Sequence, residues 1–212
     1  MRYFFSETDF KQPYNRQATI DAMGLSCLRF VGANQIHSDN IVIVNNESPD
    51  IIPDCDALIT SVSGIAIYIL TADCVPVLLY DTRNGVVAAV HAGWKGTAAK
   101  IAQKTVSRMS EVFGSNPHDI SAIIGPHIHS ESFEVGSEVA EQIGWAFVDA
   151  TSPNGKPMLS LTRANVAQLM EAGIEKSSIT IDSRCTFADN LFSWRRDKTD
   201  KRIGSCIYLE RS

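Results

Sequence analysis

Residues 70–100, LTADCVPVLLYDTRNGVVAAVHAGWKGTAAK, contain the feature that most restricts the fold. Two short apolar runs, VPVLLY and VVAAV, are separated by DTRNG, a turn-forming link that brings them together as an antiparallel hairpin. Cys74 opens the first run and His91 closes the second, so the hairpin register decides whether a thiol and an imidazole meet. If residues 81–84 form a four-residue connection, Tyr80 pairs with Gly85 and Cys74 stands opposite His91, with Cβ atoms about 5 Å apart. A two-residue Asn84-Gly85 turn would instead pair His91 with Leu78 and leave Cys74 about 13 Å further along. The longer loop is favoured, because it alone gives both polar residues a reason to sit at the strand ends. Taken singly, each fits a plainer role: the thiol as a small buried hydrophobe, the imidazole as a hydrogen-bonded structural group.

Around this hairpin the pattern is mixed. Further strands are predicted at CLRFVG, NIVIV, ALIT, IAIYIL, ISAIIG, SITI and SCIYL, all short, β-branched and bounded by turn residues. Three helices are predicted. The first covers 97–113, with Ala98, Ile101, Ala102, Thr105, Met109 and Val112 on one stripe and Gly114 as its stop. The second covers 137–147 with Ser137 as N-cap, and the third 162–173 with Thr162 in the capping place and Gly173 just past the end. The turn-rich 151–157, TSPNGKP, reads as a surface loop. Strands cluster between helices without strict alternation. The expected fold is therefore a single α+β domain over residues 1–212, a layered, mixed and largely antiparallel sheet with flanking helices.

Composition narrows the function. A net charge of −5 argues against broad nucleic-acid binding, which needs a basic surface. GIAIYIL is too short to span a bilayer, and MRYFFSETDF has no charged-then-apolar leader. Five scattered cysteines (Cys27, Cys55, Cys74, Cys185, Cys206) with no Cys-x-x-Cys pair point to free thiols and a cytoplasmic setting.

Three further stretches carry chemistry. In HAGWKGTAAK, Gly93 and Gly96 permit tight geometry before a helix whose free N–H groups, with Lys95, would attract an anion. The plainer reading is a loop-to-helix turn with a solvated lysine. In IGPHIHSESFEVG, His127 and His129 would chelate metal if extended, but as a loop pair after Pro126 they are expected in solvent. In CTFADNLFSWRRD, Arg195 and Arg196 suit a phosphate or carboxylate near a cleft, or else form a charged hairpin tip.

NQIHSD, ADCVPVLLYD, HAGWKGT, IGP with FEVG, and CT with LFSWRRD and a closing GS occur in this order, and together they resemble the laccase-domain family. That family was long labelled multicopper polyphenol oxidase and later linked to purine nucleoside chemistry. The resemblance runs from Gly32 to Leu209 and implies a fold similar to that of cysteine-dependent hydrolases. It implies His37, Cys74 and His91 as metal ligands. A thiolate with two imidazoles suits Zn²⁺ and leaves a fourth position for water or substrate. Copper accepts the same donors, but a laccase needs several coppers held by many histidines, and the chain has five, so zinc is preferred. The resemblance further implies phosphorolysis of adenosine, inosine, guanosine or methylthioadenosine, and hydrolytic deamination of adenosine. Zinc lowers the pKa of water towards about 7, as deamination requires. Phosphorolysis requires an oxyanion clamp, for which Lys95, the helix start after Gly96, Arg195 and Arg196 are the candidates. Asp73 would orient a histidine, serve as a base, or make only a structural hydrogen bond. His127 departs from the family, standing where many relatives carry a thiol. Two other readings stay open: a metal-free cysteine hydrolase with Cys74 as nucleophile and His91 as base, which would not need His37, and a metal- or partner-binding module without catalysis.

Overall fold

The hairpin at the middle of the sequence is also at the middle of the structure. A computed structural model describes residues 1–25 and 28–210; Cys27, the first residue of the predicted CLRFVG strand, lies outside them. The first half of the chain runs β1 (Arg2–Phe5), α1 (Pro13–Ala22), β2 (Arg29–Ala33), β3 (Ile41–Ile43), β4 (Ile51–Ile52), β5 (Ala57–Thr60), β6 (Ile65–Thr71), β7 (Val75–Asp81) and β8 (Val86–Ala92). The second half runs α2 (Trp94–Ala98), α3 (Ile101–Phe113), β9 (Ile120–Ile124), α4 (Ser137–Ile143), β10 (Val148–Thr151), β11 (Pro157–Leu159), α5 (Leu161–Glu171), β12 (Ile179–Ile181), α6 (Trp194–Asp197) and β13 (Ile203–Tyr208).

The mixed α/β fold is the one expected, with its main strands divided between two mixed sheets. One sheet has the order β12-β9-β7-β8-β5-β3 and the other β1-β13-β6-β2-β4. Burial explains the division. Leu58, Leu78, Val87 and Ala89 of the first sheet pack against Val31, Ile67, Ile69 and Ile207 of the second. The alternate residues Val77, Leu79, Ala88 and Val90 face outward onto Ile101, Val106 and Met109 of α3 and Leu161 and Leu169 of α5. β7 and β8 are thus covered on both faces, which is why they read as continuous apolar runs rather than alternating ones. The outer face of the second sheet is closed by the N-terminal segment, with Phe10 packed edge-on against Tyr68. Among the described residues no helix is long and apolar enough to cross a membrane.

The hairpin register differs from the expected one. Asp81 stays in the ladder opposite Val86, so the four-residue loop is 82–85 rather than 81–84. The reason lies in the side chain. Asp81 is fully buried, its Oδ1 accepts from the backbone N–H groups of Arg83 and Asn84 at 2.9 and 3.1 Å, and Gly85 takes φ 62° to complete the turn. His91 therefore pairs with Pro76, not Cys74. Cys74 lies just beyond the last ladder pair, two residues from Pro76, and so on the same side as His91.

The helix predicted over 97–113 is two helices. Lys100 adopts φ 60°, and α2 is a separate turn seated on the site, with Gly96 so close that a Cβ there would lie 3.2 Å from Ser38 O. α3 keeps Ile101, Ala102, Thr105 and Met109 buried and ends at Gly114 as expected, but Val112 is exposed. Gly136, not Ser137, caps α4, which ends at Ile143 before a 3-10 turn. Ser160 caps α5 through a bond from Arg163 N; Thr162 is already the second helical residue, and its hydroxyl bonds His127. The turn-rich 151–157 stretch links the small β10–β11 hairpin. The short strands β1 and β4 and the helices α1 and α6 carry no period long enough to predict.

Gly204 of β13 lies against the fully buried Phe10; an added Cβ would sit 2.4 Å from two of its ring carbons. Gly204→Ala is expected to cost about 1–3 kcal/mol, read as a lower urea midpoint at unchanged slope. A midpoint equal to the parent's would show that the N-terminal segment yields freely.

Candidate metal centre

His37, Cys74 and His91 come together from three separate segments. His37 lies on the loop after β2, Cys74 on the bend before β7, and His91 at the end of β8. Their ligating atoms all fall within 4.8 Å of one another, and the two imidazole rings stand edge to face with centroids 4.8 Å apart. Gly93 leaves the space for this convergence. A Cβ there would lie 3.1 Å from both Cys74 Sγ and His37 Cδ2.

The group that orients these ligands is Asp56, which lies just before β5 and is fully buried. His91 Nδ1–H donates to Asp56 Oδ1 at 2.7 Å, which leaves Nε2 as the ligating nitrogen. The same carboxylate accepts from the backbone N–H groups of Ile36, His37 and Ser38 at 3.2, 3.0 and 2.7 Å, and from Ser38 Oγ at 2.7 Å. It thereby holds His37 at φ 60°, a left-handed conformation that few side chains adopt without such support. Burial opposes ionisation of Asp56, but the bonds from His91 and Ser38 outweigh it and hold its pKa down to about 2. No sequence signal marked Asp56. It stands between Cys55 and an apolar strand, and only the pairing of β5 with β8 reveals its partner.

Electrostatically the centre is a coupled pair. Burial pushes the Cys74 thiol up, yet His91 and His37 more than compensate and bring it to about 6. Burial likewise disfavours charge on His91, but the Cys74 thiolate and Asp56 raise it to about 9. A thiolate, two imidazoles and a carboxylate behind one of them make a donor set that fits a single divalent ion of the zinc type, with both soft and borderline donors represented.

The ligands line a cleft of about 640 Å³ that is also lined by Gln35, Thr71, Asp73, Trp94, Phe133, Trp194, Arg195 and Arg202. Asp73 does not orient a histidine. Its Oδ1 accepts from Thr186 Oγ1 at 2.7 Å and its Oδ2 from Arg195 N at 2.6 Å, so it ties the C-terminal segment to the cleft. Arg195 is in the cleft, over the Phe133 ring and bonded to Glu134 O. Arg196 is not. Its guanidinium is taken by Asp197 and by the carbonyls of Thr186, Phe187 and Leu191. Lys95 lines a neighbouring groove that His37 also lines, and Gly96 lies within α2, which already starts at Trp94, so the helix start expected just after Gly96 is not there. His127 is fully buried rather than in solvent, donating from Nδ1 to Gly125 O and accepting at Nε2 from Thr162; burial lowers its pKa to about 4, so it stays neutral. The His129 ring lies beside it, tilted by 57° with centroids 5.0 Å apart, and is partly exposed.

Replacing Asp56 with Asn removes the charge while keeping the shape. Asp56→Asn is expected to weaken metal binding about 10–100-fold, measured by chelator competition. An unchanged affinity would show that the ligands are organised without the carboxylate.

Known proteins share this arrangement of sequence and fold. The chain is 36% identical over 199 residues to a purine nucleoside phosphorylase of Mycobacterium bovis, spanning 92% of this chain and 78% of that protein. It is 37% identical over 185 residues to one from Deinococcus radiodurans, spanning 86% and 71%. The crystal structure of the hypothetical protein YfiH of Bacillus licheniformis superposes with a TM-score of 0.87 at 33% identity, covering 93% of this chain and 80% of that one. YlmD of Geobacillus stearothermophilus does so with a TM-score of 0.84 at 29% identity, covering 93% and 79%. The family model described as multi-copper polyphenol oxidoreductase laccase matches residues 10–210, and the chain belongs to that family.

Proposed function

We propose that the chain is a zinc-dependent purine nucleoside phosphorylase of the cytoplasm, a single catalytic domain that also deaminates adenosine by hydrolysis. The observation that carries this reading is the convergence of three ligating side chains within 4.8 Å at a cleft that also presents aromatic rings and an arginine. The relatives named purine nucleoside phosphorylase support the substrate class, extended here to adenosine, inosine, guanosine and methylthioadenosine. Among the described residues there is one cluster of three or more such ligands. That favours a mononuclear zinc site over the several coppers of a laccase.

When bound, zinc would supply Lewis acidity and a water made nucleophilic near neutral pH. The residues of the chain account for the rest. Asp56 fixes the His91 ring, and its three backbone contacts fix His37. Trp194 and Phe133 line the cleft with aromatic surface against which a purine would pack. Arg195 offers a positive charge to phosphate. In phosphorolysis the C1′–N9 bond breaks, a phosphate oxygen bonds C1′, and the phosphate proton passes to the departing purine. In deamination a water oxygen adds at C6, ammonia leaves and inosine forms.

One observation supports a second reading. Cys74, His91 and Asp56 also form a nucleophile, base and orienting carboxylate in sequence, with the thiol brought down to about 6. A metal-free hydrolase of this kind would work without His37 and survive chelation.

His37→Ala and Cys74→Ala are each expected to lose most bound zinc by elemental analysis; unchanged content would remove the ligand assignment. With zinc-loaded protein and adenosine, adenine and ribose 1-phosphate should appear only with phosphate, and inosine without it. Turnover that persists after chelation would favour the hydrolase, and no turnover at all would refute both. Proton release tests the coupled pair. Between about 6 and about 9 Cys74 and His91 together hold one proton, which zinc must displace. Calorimetry in buffers of different ionisation enthalpy, near about pH 7.5, should therefore show net proton release on zinc binding, and more release as pH falls through about 6.

A further inference from the structure

We infer that inorganic phosphate is held in the cleft by Lys11 and Arg202 together with Arg195, with the Thr71 hydroxyl as a further hydrogen-bonding group. The role of that phosphate as co-substrate rests on the phosphorolysis reading; the anion subsite itself rests on geometry. All four residues line the same cleft as Cys74 and His91.

The wall that carries Lys11 and Arg202 is built. Asp9 is almost fully buried, and its Oδ1 accepts from Lys11 N at 3.2 Å and Arg202 N at 2.9 Å, while Phe10 N donates to Arg202 O at 2.9 Å. One carboxylate thus clamps two distant backbone segments side by side, and a cation leaves each. The Arg202 guanidinium is steered by the carbonyls of Thr199 and Lys201, both at 2.8 Å, and lies over the Trp194 ring. Arg195 is steered by Glu134 O at 2.8 Å. These anchors are carbonyls and rings, so they position the charge without neutralising it. Among the described residues neither Arg195 nor Arg202 has a carboxylate within ion-pair distance, in contrast to Arg196 with Asp197. Lys11 reaches the exposed Asp200 only at 3.9 Å, a contact that contributes little. Asp73 is the acidic residue in the cleft lining, and both its oxygens are bonded to Thr186 and to Arg195 N.

Thr71 supplies an independent observation. It is 1% exposed, its Oγ1 meets no hydrogen-bond partner among the described residues, and it lies in the ladder opposite Ile203, the neighbour of Arg202. A buried hydroxyl left unpaired is destabilising, and an acceptor oxygen in the cleft would relieve that. Two guanidinium forks, an ammonium and a hydroxyl suit a tetrahedral dianion with several acceptor oxygens.

The test is titration of zinc-loaded protein with inorganic phosphate by calorimetry, in the parent, Lys11→Gln, Arg202→Gln and the control Lys201→Gln, with zinc content and melting temperature confirming each fold. Lys201 lies over Phe192 outside the cleft lining and makes the same charge change. Phosphate affinity should fall at least tenfold in Arg202→Gln and severalfold in Lys11→Gln, and stay within twofold in Lys201→Gln. In turnover assays the KM for phosphate should rise in step while that for adenosine stays constant. Equal phosphate affinity in all four proteins would overturn the inference, even if the parent phosphorolyses nucleosides. Residue-dependent phosphate binding without nucleoside turnover would sink the phosphorolysis reading and leave the subsite standing. Absence of phosphate binding in the parent, or binding of adenosine 5′-monophosphate alone, would overturn the subsite as a site for free phosphate.

Discussion

The Asp56 carboxylate receives hydrogen bonds from Ile36 N, His37 N, Ser38 N, Ser38 Oγ and His91 Nδ1, and none of it is exposed to solvent. A buried charge is tolerated only when nearly every lone pair is answered, and here the answers come from two elements that must meet for the centre to exist. One is the loop that presents His37; the other is the strand that presents His91. The bond from His91 N back to Asp56 O, at 2.7 Å, extends the β5–β8 ladder to the same point. The sheet and the ligand geometry are therefore not separable: a shift of β5 against β8 would move both histidines at once.

Asp73 plays the matching part on the other side of Cys74. Its backbone takes φ 90°, its carbonyl accepts from Ile128 N at 3.0 Å, and its side chain holds Thr186 and the first turn of α6. Two buried carboxylates thus support the site with different duties. Asp56 fixes the imidazoles, and Asp73 fixes the wall that carries Trp194 and Arg195. The many exposed ion pairs elsewhere, such as Lys100 with Glu171 and Arg108 with Glu111, contribute little beside these.

Local chemistry made part of this legible in the chain. The apolar runs marked nine of the strands, and the resemblance named the three residues whose ligating atoms fall within 4.8 Å of one another. What stayed hidden depends on tertiary partners. Asp81 set the register by bonding its own turn, and that bond is invisible until the aspartate is known to be buried. Lys100 broke a helix whose stripe looked continuous, because α2 is seated against Ser38 and His91. Arg195 and Arg196 are indistinguishable as neighbours in a string, yet a four-residue helix sends one to the cleft and the other to Asp197. Asp56 had no motif, since its partners lie 18 to 35 residues away.

The last strand is not at the rim of its sheet. β13 is inserted between β1 and β6, pairing antiparallel with both. On the ribosome, where chains emerge amino end first, β1 and β6 have no sheet partner in each other until residues 203–208 arrive to join them. The clamp of Asp9 on Arg202 closes at the same moment. A nascent chain therefore carries its thiol and both imidazoles well before it owns a finished cleft. The wall that sets Lys11 beside Arg202 is thus completed only by a segment made late in translation.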